Sequence, residues 1–164
     1  MDYDTRNLQH SETTNQAMDL LLEYLCSRTP VTSQAPALIP QEEQLLDAFF
    51  TEALARIVSM PQHEYEELLA NIVVAYAESE CDEMVFNIRD KNRLSLIRFI
   101  VLMDSKIKQS GRTLSLMKMS AETVDAEGGF LLVGKDVRID CTLETLLAQA
   151  KAQIAPDLLA LLRH

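Results

Sequence analysis

The chain opens with a run of helical periodicity. Thr13 and Gln16 have the spacing of a capping box, a common start of a helix. The apolar residues that follow at helical intervals are Met18, Leu21, Leu22 and Leu25. We therefore predict a short amphipathic helix from about residue 14 to residue 27, within an N-terminal segment of residues 1–28.

A proline-rich stretch then interrupts the pattern. Residues 29–40 read TPVTSQAPALIP and contain Pro30, Pro36 and Pro40. Each proline lacks a backbone donor and disfavours helix at the residue before it. The stretch is predicted to be a linker, and it is the clearest boundary in the sequence.

Residues 41–60 carry a wide apolar stripe. Its members come as adjacent pairs every four residues, which places them on one side of a helix: Leu45, Leu46, Phe49, Phe50, Ala53, Leu54, Ile57 and Val58. Because the stripe is wider than one small domain would cover, we predict that part of it binds a partner helix and that the isolated chain forms a weak dimer. The candidate partner-binding residues are Leu45, Leu46, Phe49, Phe50, Leu54 and Ile57.

Residues 61–110 mix helical and strand-like patterns. Pro61 suits the first turn of a helix with an apolar face and a solvated acidic face that includes Glu66 and Glu67. The segment MVFNI, residues 84–88, is short, apolar and partly β-branched, which predicts a strand. Asp90 is predicted to cap the next helix, which would end near Gly111.

The last third of the chain predicts a hairpin and a final helix. TLSLMKM, residues 113–119, alternates loosely, and two strand-like runs flank Gly134, Lys135 and Asp136. Thr142 can cap a helix, and Pro156 can begin a further short one. The predicted fold is therefore α+β, with N-terminal helices followed by a small antiparallel or mixed sheet packed by helices. Residues 61–164 are predicted to form its head domain.

Charge and hydropathy limit the partners. Against 15 basic residues there are 25 acidic ones, and the net charge of -10 repels phosphate backbones and anionic membrane surfaces. The apolar run of residues 68–77 is far shorter than the roughly 20 residues that cross a bilayer. The N-terminus lacks the pattern of a signal peptide. We expect no nucleic-acid partner, no direct membrane insertion and a cytoplasmic location.

The strongest candidate for chemistry is a near match to the phosphate-binding pattern G-x-x-x-x-G-K-[ST]. Residues 129–136, GFLLVGKD, fit it everywhere but at the last position. Asp136 puts a negative charge where a hydroxyl should meet magnesium, and FLLV is expected to be a buried strand instead of a loop of free amides. The pattern is therefore interpreted as a hairpin turn with Lys135 in solvent.

Metal and thiol chemistry have weaker signals. His63 and Glu67 have helical i, i+4 spacing, but the second histidine of H-E-x-x-H is missing. Cys81 and Cys141 have no histidine close to them in sequence that could act as a base. We therefore predict no catalytic residues, no cofactor, no metal and no enzymatic activity of the chain itself.

Three segments together resemble the E subunit of the V-type and archaeal-type ATPases in content, order and spacing. They are MPQHEYEELLANIV, EMVFNIRDKNRL and GGFLLVGKDVRIDCTLETLL, and the resemblance covers roughly residues 50–164. The residues that carry it are Pro61, Tyr65, Leu68, Leu69, Asn87, Arg89, Asp90, Gly128, Gly129, Asp140, Thr142, Glu144 and Leu147. Each motif alone is weak, and their order is what makes the resemblance specific.

The resemblance implies an α+β head and the role of a stator in a peripheral stalk. In that family the E subunit, together with the G subunit, ties the ATP-hydrolysing head to the membrane sector during proton or sodium transport or ATP synthesis. The implied partners are a stalk helix like that of the G subunit and the catalytic head subunits. The chain departs from the family at its N-terminus, where the arm of residues 41–58 would reach about 27 Å. The alternative is a stand-alone interaction adaptor that keeps the head fold.

Overall fold

The computed structural model describes residues 2–27, 37–114 and 117–163, with the side chains of α1 described from Glu12 onward. These residues form six helices and four strands. In chain order they are α1 (Asp2–Leu25), α2 (Pro40–Val58), α3 (Gln62–Tyr76), β1 (Cys81–Phe86), α4 (Ile88–Arg93), α5 (Leu96–Ser110), β2 (Lys118–Thr123), β3 (Gly129–Gly134), β4 (Arg138–Thr142) and α6 (Leu143–Leu162). The predicted α+β fold class is confirmed.

The chain divides into two compact units. Met1–Arg56 together with Leu147–His164 form the helical unit, and Ile57–Leu146 form the sheet unit. The helical unit thus contains α1, most of α2 and the later part of α6. The sheet unit contains α3, α4, α5 and all four strands.

The helical unit is built on apolar faces of its three helices. Its buried apolar residues are Ala17, Met18, Leu21, Tyr24 and Leu25 on α1, Leu46, Phe49 and Ala53 on α2, and Leu147, Ala150, Ala155, Leu158 and Leu159 on α6. Polar contacts at the margins join the same helices. Lys151 Nζ on α6 lies 2.7 Å from Asp47 Oδ1 on α2, and Arg56 on α2 donates to Asn15 on α1.

The helix boundaries in this unit differ from the sequence prediction in two places. α1 begins at Asp2 instead of near Thr14, because its first turns lack the apolar periodicity that marked the later ones. α6 is kinked at Ile154, whose φ of -116° and ψ of 15° are not helical. Pro156 follows two residues later, and proline removes a helical hydrogen bond and crowds the preceding turn. The predicted break before the last short helix therefore takes the form of a kink.

The sheet unit contains one mixed sheet with strand order β2-β1-β3-β4. β1 and β2 are parallel, and the chain between them forms α4 and α5. β3 pairs antiparallel with both β1 and β4, so that Leu132 lies opposite Met84 on one side and Ile139 on the other. The hairpin predicted around residues 134–136 is confirmed as the β3–β4 connection.

Aromatic and aliphatic side chains fill the core of the sheet unit. Phe86 on β1 contacts Phe99 on α5 and Phe130 on β3, with ring centroids 6.0 and 5.6 Å apart. α3 packs against α5, and its buried apolar residues are Tyr65, Leu68, Leu69, Ala70, Ile72 and Val73. This arrangement fixes the polar groups of α3 and α4 beneath the loop that precedes β3.

The predicted start of the helix that ends near Gly111 was wrong. Asp90 does not cap it, because Asn87 already ends the strand segment and caps the six-residue helix α4, inside which Asp90 lies. Ser95, in an extended conformation, then separates α4 from α5. Gly111 ends α5 in the left-handed conformation with φ of 73°, as the sequence predicted. A continuous apolar pattern from Leu94 onward could not reveal this short break.

Among the helices of the described residues, none combines the length and the apolar character needed to cross a membrane.

Candidate functional site

The predicted partner-binding residues of α2 fall into two groups. Leu46, Phe49 and Ile57 are buried within the chain itself. Leu45, Phe50 and Leu54 are half-buried. The buried residues are not accessible to another protein in this structure. The prediction of a binding surface on α2 is therefore limited to the half-buried residues Leu45, Phe50 and Leu54.

The near match to a phosphate-binding loop is an ordinary strand and turn. Residues 130–132 lie buried in β3, and their backbone pairs with β1 and β4 instead of presenting free amides. The turn is closed by Gly134, whose N–H donates to the carbonyl of Val137 over 2.8 Å. Lys135 and Asp136 are exposed. The interpretation as a hairpin is confirmed.

The other candidates for chemistry are dispersed. His63 is exposed, and Glu67 accepts a hydrogen bond from Lys106 over 3.3 Å. Cys81 and Cys141 are buried thiols. Within the described residues no group of three histidine, cysteine or acidic side chains is arranged to hold a metal ion.

A buried polar network in the sheet unit connects three elements through one tyrosine. The hydroxyl of Tyr65 on α3 donates to Asp90 Oδ2 on α4 in a short hydrogen bond. The same oxygen accepts the backbone N–H of Gly129, the first residue of β3, over 3.4 Å. Tyr65 and Asp90 are both fully buried. We call Tyr65, Asp90 and Gly129, with the groups that orient them, the Tyr65 network.

The first turn of α4 ties the network to the loop before β3. Asn87 Oδ1 accepts the backbone N–H of Asp90 over 2.6 Å, the N-cap contact of α4. Its Nδ2 donates to the carbonyl of Ala126, also over 2.6 Å. Arg89 donates to the carbonyl of Glu127. These contacts, with that of Gly129 to Tyr65, hold loop residues 126–129 against α3 and α4.

The two glycines before β3 allow this close approach. A Cβ on Gly129 would lie 2.4 Å from the carbonyl oxygen of Cys141, and its φ of 81° is strained for other residues. A Cβ on Gly128 would lie 2.6 Å from Leu143 Cδ1 and 2.8 Å from the Tyr65 hydroxyl. Any side chain at position 128 or 129 would therefore clash with its neighbours, which explains the glycine at both positions.

Burial controls the ionisation of the network. Burial of Asp90 raises the pKa of its carboxyl, although the hydrogen bond from Tyr65 and the charges of Arg89 and Arg93 oppose the shift. Burial and the neighbouring Asp90 raise the pKa of the Tyr65 hydroxyl as well. Within the described residues Asp90 Oδ1 has no hydrogen-bond partner, and its ion-pair contact is with Arg89 Nε at 3.7 Å.

Arg93 closes the other side of the tyrosine. Its guanidinium carbon lies 4.7 Å from the centroid of the Tyr65 ring, a cation–π contact. The same group donates to the carbonyls of Val58, over 2.8 Å, and of Met60. It therefore satisfies carbonyls at the end of α2, where a cation is favoured by the helix dipole.

A second buried carboxylate joins α3 to α5. Glu66 is fully buried, and it accepts from Arg98 Nε over 2.9 Å, from Gln62 over 3.0 Å and from the backbone of Ser95 over 3.2 Å. Burial alone would raise its pKa, but the hydrogen bonds from Arg98, Gln62 and Ser95 outweigh it and hold the pKa of Glu66 below its usual value. The predicted solvated position of Glu66 was therefore wrong.

The turn into α6 has its own hydrogen-bonded cluster. Asp140 accepts from the backbone N–H and the hydroxyl of Thr142 and from the hydroxyl of Thr145, over 2.7–2.9 Å. These bonds outweigh the effect of burial and lower the pKa of Asp140. Glu144 accepts the N–H of Glu127 over 3.1 Å, which links this turn to the same loop.

An open cleft of about 430 Å³ lies beside the network. It is lined by Asn87, Ile88 and Arg89 and by loop residues 123–126. Tyr65 and Asp90 do not line it, although the pKa of each is shifted by burial. Through their hydrogen bonds Tyr65 and Asp90 hold α3, α4 and the start of β3 together.

Six of the residues that carry the family resemblance converge in this site. Tyr65, Asn87, Arg89, Asp90 and the glycine pair are separated by up to 64 positions in sequence, and the fold brings them together around direct hydrogen bonds. The sequence analysis missed Arg93 and Arg98 and misplaced Glu66. A signal for Glu66 existed, because it shares a helical face with the core residues Leu69 and Val73.

Fold and site together define an α+β domain whose buried polar groups fix a loop against two helices. No protein-family model matches the sequence. Curated proteins of known name do match it, and all three described below are E subunits of V-type ATPases or ATP synthases.

An E subunit of V-type ATP synthase from Clostridium botulinum (strain Langeland) is 25% identical over 118 residues, which cover 72% of this chain and 58% of the relative. An E subunit of V-type ATP synthase from Acetivibrio thermocellus is 29% identical over 104 residues, or 63% of this chain and 52% of the relative. The V-type proton ATPase E subunit of Thermoanaerobacter pseudethanolicus is 21% identical over 121 residues, or 74% and 60%. The chain is a distant relative of these E subunits, and the matches span little more than half of their length.

Proposed function

We propose that this chain is a non-catalytic subunit of the peripheral stalk of a V/A-type rotary ATPase. The relationship to proteins named as E subunits supports the proposal. The observation that carries it is the Tyr65 network, because six of the residues behind the family resemblance position a loop and two helices there. Tyr65, Asp90 and Gly129 hold a loop and two helices in place and do not line the neighbouring cleft.

A stator needs a domain that resists deformation under torque. Buried hydrogen bonds and close packing give a domain one well-defined arrangement, since each displaced donor or acceptor would be left unsatisfied. In this role the chain would contact the catalytic head subunits and a stalk helix like that of the G subunit, and so link the head to the membrane sector during ion transport or ATP synthesis. On α2, the half-buried residues Leu45, Phe50 and Leu54 are proposed to contact the stalk helix.

Recovery of the intact complex tests the proposal. An affinity tag on this chain, mild detergent extraction of native membranes and mass spectrometry should recover the ATP-hydrolysing subunits together with the chain. The matched control carries the tag on a chain with Gly129→Val, which should not fold and should recover none of them. If the folded chain is recovered alone or with unrelated proteins, the stand-alone adaptor is correct and the stator is not.

Coupling supplies a second measurement. Loss of a stator lets the catalytic head turn with the rotor, so deletion of the chain should abolish ion transport in membrane vesicles while leaving ATP hydrolysis by the detached head measurable. Retention of full ATP-driven ion transport after deletion would contradict a stator role.

A further inference from the structure

The turn between α2 and α3 lacks the local caps that commonly close such a turn. α2 ends at Val58 and α3 begins at Gln62, so the turn consists of residues 59–61, which read SMP. It contains no glycine, the residue that most often ends a helix in the left-handed conformation. Pro61, at the N-cap position of α3, makes no side-chain hydrogen bond to the helix. The carbonyls at the end of α2 are therefore left for water or for a distant residue to satisfy.

Arg93, the last residue of α4, is that distant residue. Its guanidinium donates to the carbonyl of Val58 over 2.8 Å and to the carbonyl of Met60, which lie 35 and 33 positions earlier in the sequence. The backbone carbonyl of Arg93 accepts a hydrogen bond from the side chain of Gln62, in the first turn of α3, over 2.8 Å. One residue of α4 therefore contacts the chain on both sides of the turn.

The same guanidinium joins the turn to the Tyr65 network. It lies over the ring of Tyr65, whose hydroxyl donates to Asp90 and accepts from Gly129. A path of direct contacts thus runs from the end of α2 through Arg93 and Tyr65 to α4 and the start of β3. Every residue of this path, from Val58 to Gly129, belongs to the sheet unit.

We propose that Arg93 is a positioning residue that locks the α2–α3 turn, so that force on α2 passes into α3 and α4 through a fixed joint. A guanidinium suits this position, because its planar fork donates to two carbonyls at once while its face stacks on an aromatic ring. A lysine has one ammonium group and no flat face. The load-bearing part of the proposal rests on the proposed stator function, whereas the locking of the turn does not.

Hydrogen–deuterium exchange of the full chain measures the lock. Arg93→Met keeps an unbranched apolar stem against Tyr65 but removes every side-chain donor. It should accelerate exchange in residues 59–65 at least about tenfold, because the turn opens more often once two carbonyls lose a charged donor. The amides of β1 and β3 should exchange as in the wild type. Arg93→Lys should give an intermediate rate, since one ammonium group cannot replace the fork.

Arg112→Met is the matched control at the other end of α3. Arg112 makes the same kind of contact there, because its guanidinium donates to the carbonyls of Val74 and Ala77. Its loss should accelerate exchange near Ala77 and leave residues 59–65 unchanged. Acceleration of residues 59–65 by both variants would show that the loss of any arginine loosens the whole unit, and this would contradict a specific lock.

Coupling in the intact complex tests the load-bearing role. Membranes in which every copy of the chain carries Arg93→Met should yield the complex in normal amount and hydrolyse ATP. The number of ions transported per ATP hydrolysed should fall below the wild-type value, because a joint that yields under load does not hold the head still. Arg112→Met should keep the wild-type ratio. A residue that only stabilised the fold would lower the yield of the complex and leave this ratio unchanged.

The two measurements separate the possible failures. Unchanged exchange in residues 59–65 of Arg93→Met would refute the lock, and equal acceleration in β1 and β3 would show general destabilisation in its place. Accelerated exchange with a wild-type ratio of ions to ATP would refute the load-bearing role. If the wild-type chain is not recovered with the ATP-hydrolysing subunits, the stator function fails, and the exchange result alone still decides whether Arg93 locks the turn.

Discussion

The helical unit and the sheet unit are stabilised in different ways. The helical unit relies on apolar faces, and ion pairs such as Lys151 with Asp47 lie at its exposed margins. The sheet unit holds five of the six buried polar or charged residues in the described part of the chain. They are Glu66, Asn87, Asp90, Ser120 and Thr142, whereas Thr14 lies in the helical unit.

This difference predicts unequal tolerance to substitution. Apolar packing accepts swaps of similar volume at modest cost. A buried polar network does not, because a change in one partner leaves the other without its hydrogen bond in a medium that cannot replace it. The sheet unit should therefore tolerate fewer substitutions than the helical unit. This agrees with the position of the residues that carry the family resemblance, all of which except Leu147 lie in the sheet unit.

The largest effect is expected at the glycine before β3. Gly129→Ala should cost about 3 kcal/mol or more in the free energy of unfolding, because the new Cβ would meet the Cys141 carbonyl at 2.4 Å. Gly111→Ala is the matched control, since Gly111 has a similar φ of 73° with open space around it. It should cost about 1–2 kcal/mol. Equal losses in urea denaturation would show that strain in φ alone accounts for both.

Matched core truncations compare the two units directly. Leu69→Ala in the sheet unit and Leu158→Ala in the helical unit each remove a buried leucine, and each should cost about 2–5 kcal/mol. Glu67→Ala, at an exposed position of α3, should cost far less. Thermal unfolding followed by circular dichroism measures all three. An unchanged melting temperature for Leu158→Ala would mean that the buried face of α6 does not contribute to folding.

The two buried carboxylates of the sheet unit should respond to pH with opposite sign. The pKa of Glu66 is lowered in the folded state, so its contribution is present above its unfolded pKa of about 4.3 and is lost as pH falls through the folded pKa. The pKa of Asp90 is raised, so its contribution is present below its unfolded pKa of about 3.9 and is lost as pH rises through the folded pKa.

Two variants isolate these contributions. The stability advantage of the wild type over Glu66→Gln should shrink as pH is lowered below about 4.3. The stability of the wild type relative to Asp90→Asn should instead decline as pH is raised above about 3.9. Denaturant titrations at several pH values measure both differences. The same sign for both would contradict the assignment of opposite pKa shifts.

The sequence predicted those parts of the fold that repeat a local pattern. The α2 stripe, the α3 face, the β3–β4 hairpin and the end of α5 at Gly111 follow from periodicity or from turn chemistry. The network could not be predicted in this way, because Tyr65 and Gly129 meet through tertiary packing across 64 positions. Glu66 shows that residue charge alone also fails to predict burial. Three adjacent hydrogen-bond donors let a charged residue occupy a core position that charge alone would exclude.

The apolar stripes of α2 and α5 show a second limit. Periodicity predicted that part of the α2 stripe binds a partner helix, yet Leu46 and Phe49 are buried within this chain. The sequence pattern of α5 did not separate buried from exposed apolar residues, and in the structure Ile97 and Val101 are exposed. A hydrophobic pattern shows that a face needs cover, and the remaining elements of the fold decide which face the chain itself covers.

The smallest effect is expected at the exposed ion pair of the helical unit. Lys151→Ala removes contacts to Asp47 at 2.7 Å and to Glu43 at 3.8 Å. Both acids are exposed, so solvent screens the attraction, and the loss should be about 0.2–1 kcal/mol. Lys135→Ala, at the tip of the β3–β4 turn, is the matched control in the sheet unit and should be nearly silent. The difference should diminish in 1 M salt, where charges more than about 3 Å apart are largely screened. A loss of several kcal/mol for Lys151→Ala would show that polar contacts are as important in the helical unit as in the sheet unit, and the contrast between the two would fail.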